Sequence, residues 1–384
     1  MDAIQKKKKS NFNFLNIQIE NIKKTSKIIK ILCFQMNETL EKKSSGKIPP
    51  AHSQIAIING SVPPLVSKWN YRLLMNLGQG SFGTVYSSMA QSGDVVAIKK
   101  IKIDPSQTNR ELEILESLNS PFCIKLLDYF YSTEVKENNN YNQTISYLNL
   151  VTELMPESLG KLIRKQHQIN QPLNPFLVKL FIYELFAGIS DMHHLGIAHR
   201  DIKTDNCLVD TRKGILKIID FGCAKFLNKD NGPHHSYVAS RIYRAPELLL
   251  NSTEYDDKVD IWAAGCVISE ILLDAIPMFQ GCNNEDQLVQ IMQILGNPTD
   301  EEDKSFQHKL KFPKNVNKIC SIEMALPLST DKNLLALLKR IFVYNPAKRP
   351  TADECMRSPY FDELFKEGAK LPNGNPLPHL PRPE

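Results

Sequence analysis

The sequence predicts an α+β fold in two lobes: a small, β-rich N-terminal lobe with one key helix, and a larger, mainly helical C-terminal lobe. Three observations predict it. Between Tyr71 and Met155, strand-like runs such as Val96-Ala97-Ile98-Lys99 and Leu148-Asn149-Leu150-Val151 are bounded by turn residues. From Leu177 onward apolar residues recur at helical spacing, as in the amphipathic stretch from Val178 to Leu195, which stops at Gly196. Within that helical half, His199 to Phe221 holds two short β-like runs, Cys207-Leu208-Val209 and Ile215-Leu216-Lys217-Ile218-Ile219, around the turn signal Asp210-Thr211-Arg212-Lys213-Gly214.

At 384 residues the chain is long for one core and suited to two lobes with tails. Hydrophobic residues make up 42% and charged residues 23%, the balance of a soluble globular protein. The net charge of +5 is unevenly placed: residues 1–50 hold 11 Lys against 4 acidic residues, and the remainder carries 36 basic and 38 acidic residues. The basic character therefore belongs to the N-terminal tail and gives no reason to expect nucleic-acid binding by the folded part. The eight Cys (33, 123, 207, 223, 266, 282, 320 and 355) follow no zinc-like spacing and predict reduced thiols in a cytoplasmic or nuclear protein. No apolar run of about 18 residues predicts a membrane span, and the basic start lacks the apolar core of a secretory signal.

The expected boundaries are a basic tail over 1–67, the N-lobe over 68–155, the C-lobe over 156–366 and a Pro-rich extended tail over 367–384. In the first tail, Phe12 to Phe34 mixes apolar residues with Lys23, Lys24, Lys27 and Lys30, which reads as a disordered or loosely helical appendage in preference to a membrane-surface helix. Ser10, directly after four Lys, is a weak signal for a regulatory phosphosite.

In the N-lobe, Leu77-Gly78-Gln79-Gly80-Ser81-Phe82-Gly83-Thr84-Val85-Tyr86 has strand-like flanks. Gly-x-Gly-x-x-Gly alone also marks dinucleotide folds, where a helix follows. Strand on both sides favours a glycine-rich hairpin laid over phosphates, where backbone N–H groups approach without a Cβ in the way. Period-two alternation then sends Ala97 and Lys99 to one face, toward a nucleotide, and leaves Lys100 as a solvated strand residue. Asn109-Arg110-Glu111-Leu112-Glu113 opens a helix with Leu112, Leu115 and Leu118 along one side; Glu111 and Glu113 both compete for Lys99. Residues 131–147 form an Asn-rich insertion, an extended hairpin loop. The strand ending at Pro156 offers the backbone of Glu153 and Met155 to an adenine edge, with Thr152 at the back of the pocket.

In the C-lobe, a hairpin over 207–219 would gather Asp201, Asn206 and Asp220 around one point. Phosphoryl transfer needs such a set: a carboxylate beside the attacking hydroxyl, and oxygen ligands for Mg²⁺ on a triphosphate. Further on, Arg349 and Glu247 form a candidate buried ion pair. The tail from Leu371, rich in Pro and Gly, is expected to be extended.

His199-Arg200-Asp201 with Lys203, Asn206 and Asp220-Phe221-Gly222 at these spacings resembles the eukaryotic protein kinases, from about Tyr71 to Phe361. Within them the chain is similar to the CMGC group and its glycogen synthase kinase 3 family. The matches are Val96-Ala97-Ile98-Lys99-Lys100 with Asn109-Arg110-Glu111-Leu112, Tyr147 to Val151, Ser236-Tyr237 before Ser240-Arg241, and Phe361-Asp362-Glu363-Leu364 with Lys370 to Gly374. The resemblance implies a bilobal serine/threonine kinase that uses ATP and Mg²⁺. Asp201 and Lys203 would act on the reacting groups, Lys99, held by Glu111 as the family's helix glutamate, would fix the phosphates, and Asn206 and Asp220 would bind metal. A nucleotide pocket would be built from Leu77, Gly78, Gly80, Ser81, Phe82, Gly83, Val85, Ala97, Lys99, Thr152, Glu153, Met155 and Leu208.

Cyclin-dependent and mitogen-activated kinases, the nearest alternatives, carry an activating Thr five residues before the position of Ser240, where this chain has His235. Arg110, Arg200 and Lys225 remain as bases for that missing phosphate. The family implies that the substrate supplies it, as a phospho-Ser/Thr four residues after the target. Tyr237 matches the family's autophosphorylated tyrosine. Expected partners are protein substrates already phosphorylated at that position, and scaffold proteins. Thr204 stands where the family has Pro, Ile242 where it has an aromatic, and residues 314–326 do not match its docking surface.

Overall fold

The computed structural model describes residues 71–80, 83–104, 109–138, 141–227, 240–304 and 311–383. The tail over 1–67, with Ser10, lies outside them, as do Ser81, Phe82, His235 and Tyr237.

The N-lobe is one antiparallel sheet of β1 (Arg72–Gly80), β2 (Gly83–Met89), β3 (Val95–Lys102), β4 (Leu126–Asn138) and β5 (Tyr141–Glu153) in the order β1-β2-β3-β5-β4. Alternation along β3 works as the sequence predicts: Val96 and Ile98 are buried with Val151 in a small cluster on one face, which leaves Ala97 and Lys99 on the other. Lys100 is not simply solvated, because its ammonium pairs with Glu134 and lies over the Tyr147 ring. The insertion over 131–147 is an extended hairpin, as expected, and its arms form a regular ladder: β4 and β5 pair from Leu126↔Thr152 to Asn138↔Tyr141 and run on past the last β3 rung, Lys102↔Tyr147.

One helix, α1 (Arg110–Ser117), lies between β3 and β4 in the chain, its N-terminus capped by Asn109. Its buried residues are Glu111, Ile114 and Leu115, so the stripe facing the core begins with a carboxylate.

The C-lobe follows as β6 (Glu157–Ser158), α2 (Leu159–Gln168), α3 (Pro175–His194), β7 (Ile197–Ala198), β8 (Cys207–Asp210), β9 (Ile215–Ile218) and β10 (Lys225–Phe226). Then come α4 (Pro246–Leu249), α5 (Lys258–Leu272), α6 (Asn284–Leu295), α7 (Asp300–Lys304), α8 (Ile322–Ala325), α9 (Lys332–Ile341) and α10 (Ala352–Met356). Asn174 caps α3 with Pro175 in its first turn. α3 and α5 are buried on almost every side and form the spine of the lobe. Each fully buried Phe there, such as Phe181 or Phe186, contributes on the order of 1.5–3 kcal/mol relative to exposure.

Glu247 and Arg349 form the expected pair, bidentate at 2.6 and 2.7 Å and essentially unexposed. The remaining guanidinium N–H groups go to the carbonyls of Val343, Lys258 and Tyr344, so the buried charge is fully bonded.

The C-terminal residues depart from the extended tail expected of them. Residues 370–376 close a tight turn with a bridge between Lys370 and Pro376, Leu371 is buried, and Tyr183 donates its hydroxyl to the Pro381 carbonyl. Buried apolar surface at Leu371 outweighs the extended preference of Pro-rich sequence.

Candidate active site

The site is assembled by the β8–β9 hairpin. Asp210 Oδ1 accepts from the N–H groups of Arg212 and Lys213, and Gly214 turns the chain at φ +63°. Cys207 then pairs with Ile218, and Ile219 N–H donates to the Asn206 carbonyl at 2.9 Å. Asn206 and Asp220 therefore flank the same end of the hairpin. α3 supports it from below through Glu184, which accepts from Leu216 N–H at 2.7 Å.

The loop before it is pinned by one buried carboxylate. Asp260, at the start of α5, accepts from the N–H groups of His199 and Arg200 at 2.8 Å each, and from His193 Nε2 at 3.0 Å. Burial pushes its carboxyl up, and the bond from His193, with the Arg200 N–H among the further causes, brings it below the usual range. Asp201 N–H donates to His199 Nδ1, so Nε2 carries the proton that bonds the Ile219 carbonyl at 3.0 Å. Arg200 and Asp220 both adopt left-handed φ, +64° and +66°, a conformation costing about 1–3 kcal/mol that persists only where surroundings over-determine it.

Asp201 is the most heavily bonded group at the centre. Its Oδ2 accepts from Lys203 Nζ at 2.6 Å and Asn206 Nδ2 at 3.0 Å; its Oδ1 accepts from Ser240 N–H at 3.1 Å and Ser240 Oγ at 3.3 Å. Lys203 Nζ also reaches Ser240 Oγ at 3.3 Å. Asn206 Nδ2 is further held by the Asp201 carbonyl at 2.8 Å, which fixes the amide so that Oδ1 is its remaining acceptor.

Across the cleft, Lys99 Nζ lies 2.6 and 2.8 Å from the two Glu111 oxygens and 2.7 Å from Asp220 Oδ1. Burial alone would lower its pKa, and the two carboxylates outweigh that and raise it. Asp220 is pushed up by burial and pulled below its ordinary value chiefly by Lys99. Glu111, not Glu113, is therefore the partner of Lys99.

The roof of the cleft is β1–β2, where Gly78 pairs with Val85 and Gly80 with Gly83. A Cβ on Gly78 or Gly80 would meet nothing within 4 Å, whereas one on Gly83, at φ +140°, would fall 2.2 Å from the Lys100 carbonyl. Leu77 is exposed in this roof. Ala97 pairs with Thr152, Met155 is partly buried just beyond β5, and Leu208 lies opposite Ser158 on β8. Glu153, besides ending β5, binds Lys217 Nζ at 2.7 Å and Lys125 N–H at 3.1 Å through its side chain.

The three expected phosphate-reading bases come from separate elements. Arg110 is the first residue of α1, Lys225 pairs with Ala198 across β10–β7, and Arg200 follows two residues later. Arg200 is not a bare cation: Nε donates to the Cys223 carbonyl at 2.7 Å and Nη1 to the Tyr255 hydroxyl at 2.8 Å.

Sequence reasoning missed Ser240 and Asp260 as parts of the site. Ser240 was visible as a hydroxyl residue six before Pro246, and Asp260 as an acid opening an apolar helix. Neither has a local pattern that reveals its bond to a loop far away in sequence.

The metal-binding capacity fits a nucleotide-borne ion. Among the described residues no group of three or more His, Cys, Asp or Glu could hold a metal by itself. Mg²⁺ keeps waters and takes phosphate oxygens, so one carboxylate and one amide oxygen, from Asp220 and Asn206, suffice. Among the described residues no helix is long and apolar enough to cross a membrane. The family model for the protein kinase domain matches residues 71–361.

Proposed function

The chain belongs to the protein kinase family, and on that premise we propose that it phosphorylates Ser and Thr of proteins, favouring substrates that already carry a phosphate four residues C-terminal to the acceptor. The observation that carries the Ser/Thr reading is Asp201 capped by Ser240, with Lys203 bridging both. The Ser240 hydroxyl on Asp201 Oδ1 occupies the kind of position that a Ser or Thr acceptor hydroxyl would take beside this carboxylate.

The residue roles follow from charge and reach. Lys99, held by Glu111, orients the phosphates of ATP under Gly78–Gly83. Asp220 and Asn206 Oδ1 would hold Mg²⁺, which would supply positive charge to the phosphate oxygens. Asp201 orients the acceptor hydroxyl and takes its proton as the bond to the γ-phosphorus forms and the bond from that phosphorus to the ADP oxygen breaks. Lys203 stabilises negative charge on the group in transit. Positioning and electrostatics supply most of the acceleration.

Priming is supported by the sequence positions of Arg110, Arg200 and Lys225, which match the bases that would meet the missing phosphate, together with His235 in place of an activating Thr. The Lys99–Glu111 pair is closed in this structure, and assaying the chain purified without a partner separates this reading from a cyclin-dependent one. The test is a peptide library with and without phosphate at the fourth position after the acceptor. Arg110→Ala should slow primed peptides by about tenfold or more and unprimed ones little. Equal losses on both would show that this region reads no phosphate.

A further inference from the structure

Thr204 sits between Lys203 and the metal-binding Asn206, as the first residue of a 3₁₀ turn over Thr204–Asn206, and its side chain is buried. Its hydroxyl lies 3.2 Å from the Tyr243 hydroxyl and 3.2 Å from Glu270 Oε1, and Tyr243 donates to Glu270 Oε2 at 2.5 Å. Glu270, on α5, is 3% exposed. A carboxylate so buried must be supplied with donors. Burial raises its carboxyl above the ordinary value, and the bonds from Tyr243 and Thr204 oppose that rise without cancelling it. The packing around the hydroxyl is close: a Cβ on Gly160 of α2 would fall 2.9 Å from Thr204 Oγ1.

The result is a closed network joining three stretches that are remote in sequence. Thr204 belongs to the loop that carries Asp201, Lys203 and Asn206. Tyr243 ends the 3₁₀ turn Arg241–Tyr243, which is entered from Ser240. Glu270 belongs to the rigid spine of the lobe. Both the loop and the Ser240 segment bond Asp201, so the network fixes from behind the spacing of the two pieces that hold the acceptor-side carboxylate. A Pro at position 204 could take the same place in the turn and would bring no hydroxyl.

We propose that Thr204 is a positioning residue for phosphoryl transfer: its hydroxyl, bound to Glu270 and Tyr243, sets the spacing between the loop bearing Asp201 and Lys203 and the segment bearing Ser240, and so aligns the acceptor. This rests on the reading of Asp201 as the group that orients the acceptor hydroxyl. The bonds of Thr204 run toward α5, away from Lys99, so its removal disturbs the acceptor side and leaves nucleotide affinity in place.

The experiment uses the full chain with peptide substrate and MgATP, and compares Thr204→Val, Thr204→Ser, Tyr243→Phe and the Thr204→Val/Tyr243→Phe double variant, each with a melting curve. Thr204→Val should lower kcat about tenfold with the KM for MgATP within about twofold of wild type. Thr204→Ser, which keeps the hydroxyl, should restore most of the rate. The double variant should be little worse than the poorer single one, because both cut the same network. Wild-type kcat in Thr204→Val, an equal change in the KM for MgATP, or a Ser variant as impaired as Val would overturn the proposal. If Thr204→Val does not fold, the folded Ser variant decides: wild-type kcat sustains the proposal and an impaired rate ends it. Asp201→Asn, run alongside, separates the two levels. Turnover in that variant removes the site reading itself, whereas a dead Asp201→Asn beside a normal Thr204→Val removes only the positioning role.

Discussion

Glu184 lies within α3, 1% exposed, with Leu216 N–H as its donor at 2.7 Å and Lys217 as a cation acting on it. Burial dominates and pushes its carboxyl well above the ordinary 4.5. The folded protein thus keeps this side chain as a neutral acid over a pH range where the unfolded chain ionises it. A raised folded pKa means stability fully present below 4.5 and lost as pH rises through the higher folded value. Glu184→Gln keeps the shape and removes the titration. The variant should gain in Tm over wild type as pH increases from 4.5 toward neutrality, by thermal melts across that range. A constant difference at every pH would show that Glu184 is ionised in the fold. At this scale the sequence reveals residue types and little of their surroundings. Asp201, Asn206 and Asp220 were legible because chemistry demands those groups at those spacings. The left-handed φ of Arg200 and Asp220, and the Ser240 cap on Asp201, were not, since each is imposed by partners distant in the chain.

The decisive element is the β8–β9 hairpin, and it was readable because its turn is local: Asp210 bonding its own loop, Gly214 taking the positive φ. What the sequence hid is the element packed beneath it. A Cβ on Gly214 would fall 2.4 Å from Leu371 Cδ2 and 2.9 Å from Leu180 Cδ2, and Asn373 Nδ2 donates to the Arg212 carbonyl at 2.8 Å. Pro-rich sequence reads as an extended tail because no periodicity announces a single buried Leu. Gly214→Ala should therefore destabilise the protein by about 1–3 kcal/mol, from the strained φ and the forced shift of Leu371. Urea denaturation measures this, and an unchanged midpoint would show that the turn is free of the tail. The β4–β5 ladder makes the same point. Its Asn-rich stretch marked an extended hairpin, and what the composition did not show is how far the regular cross-strand pairing runs, to Asn138↔Tyr141.

Across the whole molecule, the site exists only where the two lobes meet. Lys99 comes from the sheet and Glu111 from α1, whereas Asp220, Asn206 and Asp201 come from the helical lobe; a single ammonium bonds Glu111 and Asp220 together. The bilobal fold was legible in the sequence from the change of period near Leu177. The charge asymmetry of the chain concerns the tail, which lies outside the described residues. The most direct measurement of the central claim is one variant read in two ways: Asp201→Asn, assayed for peptide phosphorylation and for the Tm shift on adding MgATP. Turnover should fall by about 10²–10⁴-fold, while a saturating nucleotide at about 100 Kd still stabilises the fold by about 2.7 kcal/mol, as in wild type. Turnover near the wild-type rate, with the nucleotide bound, would contradict the account.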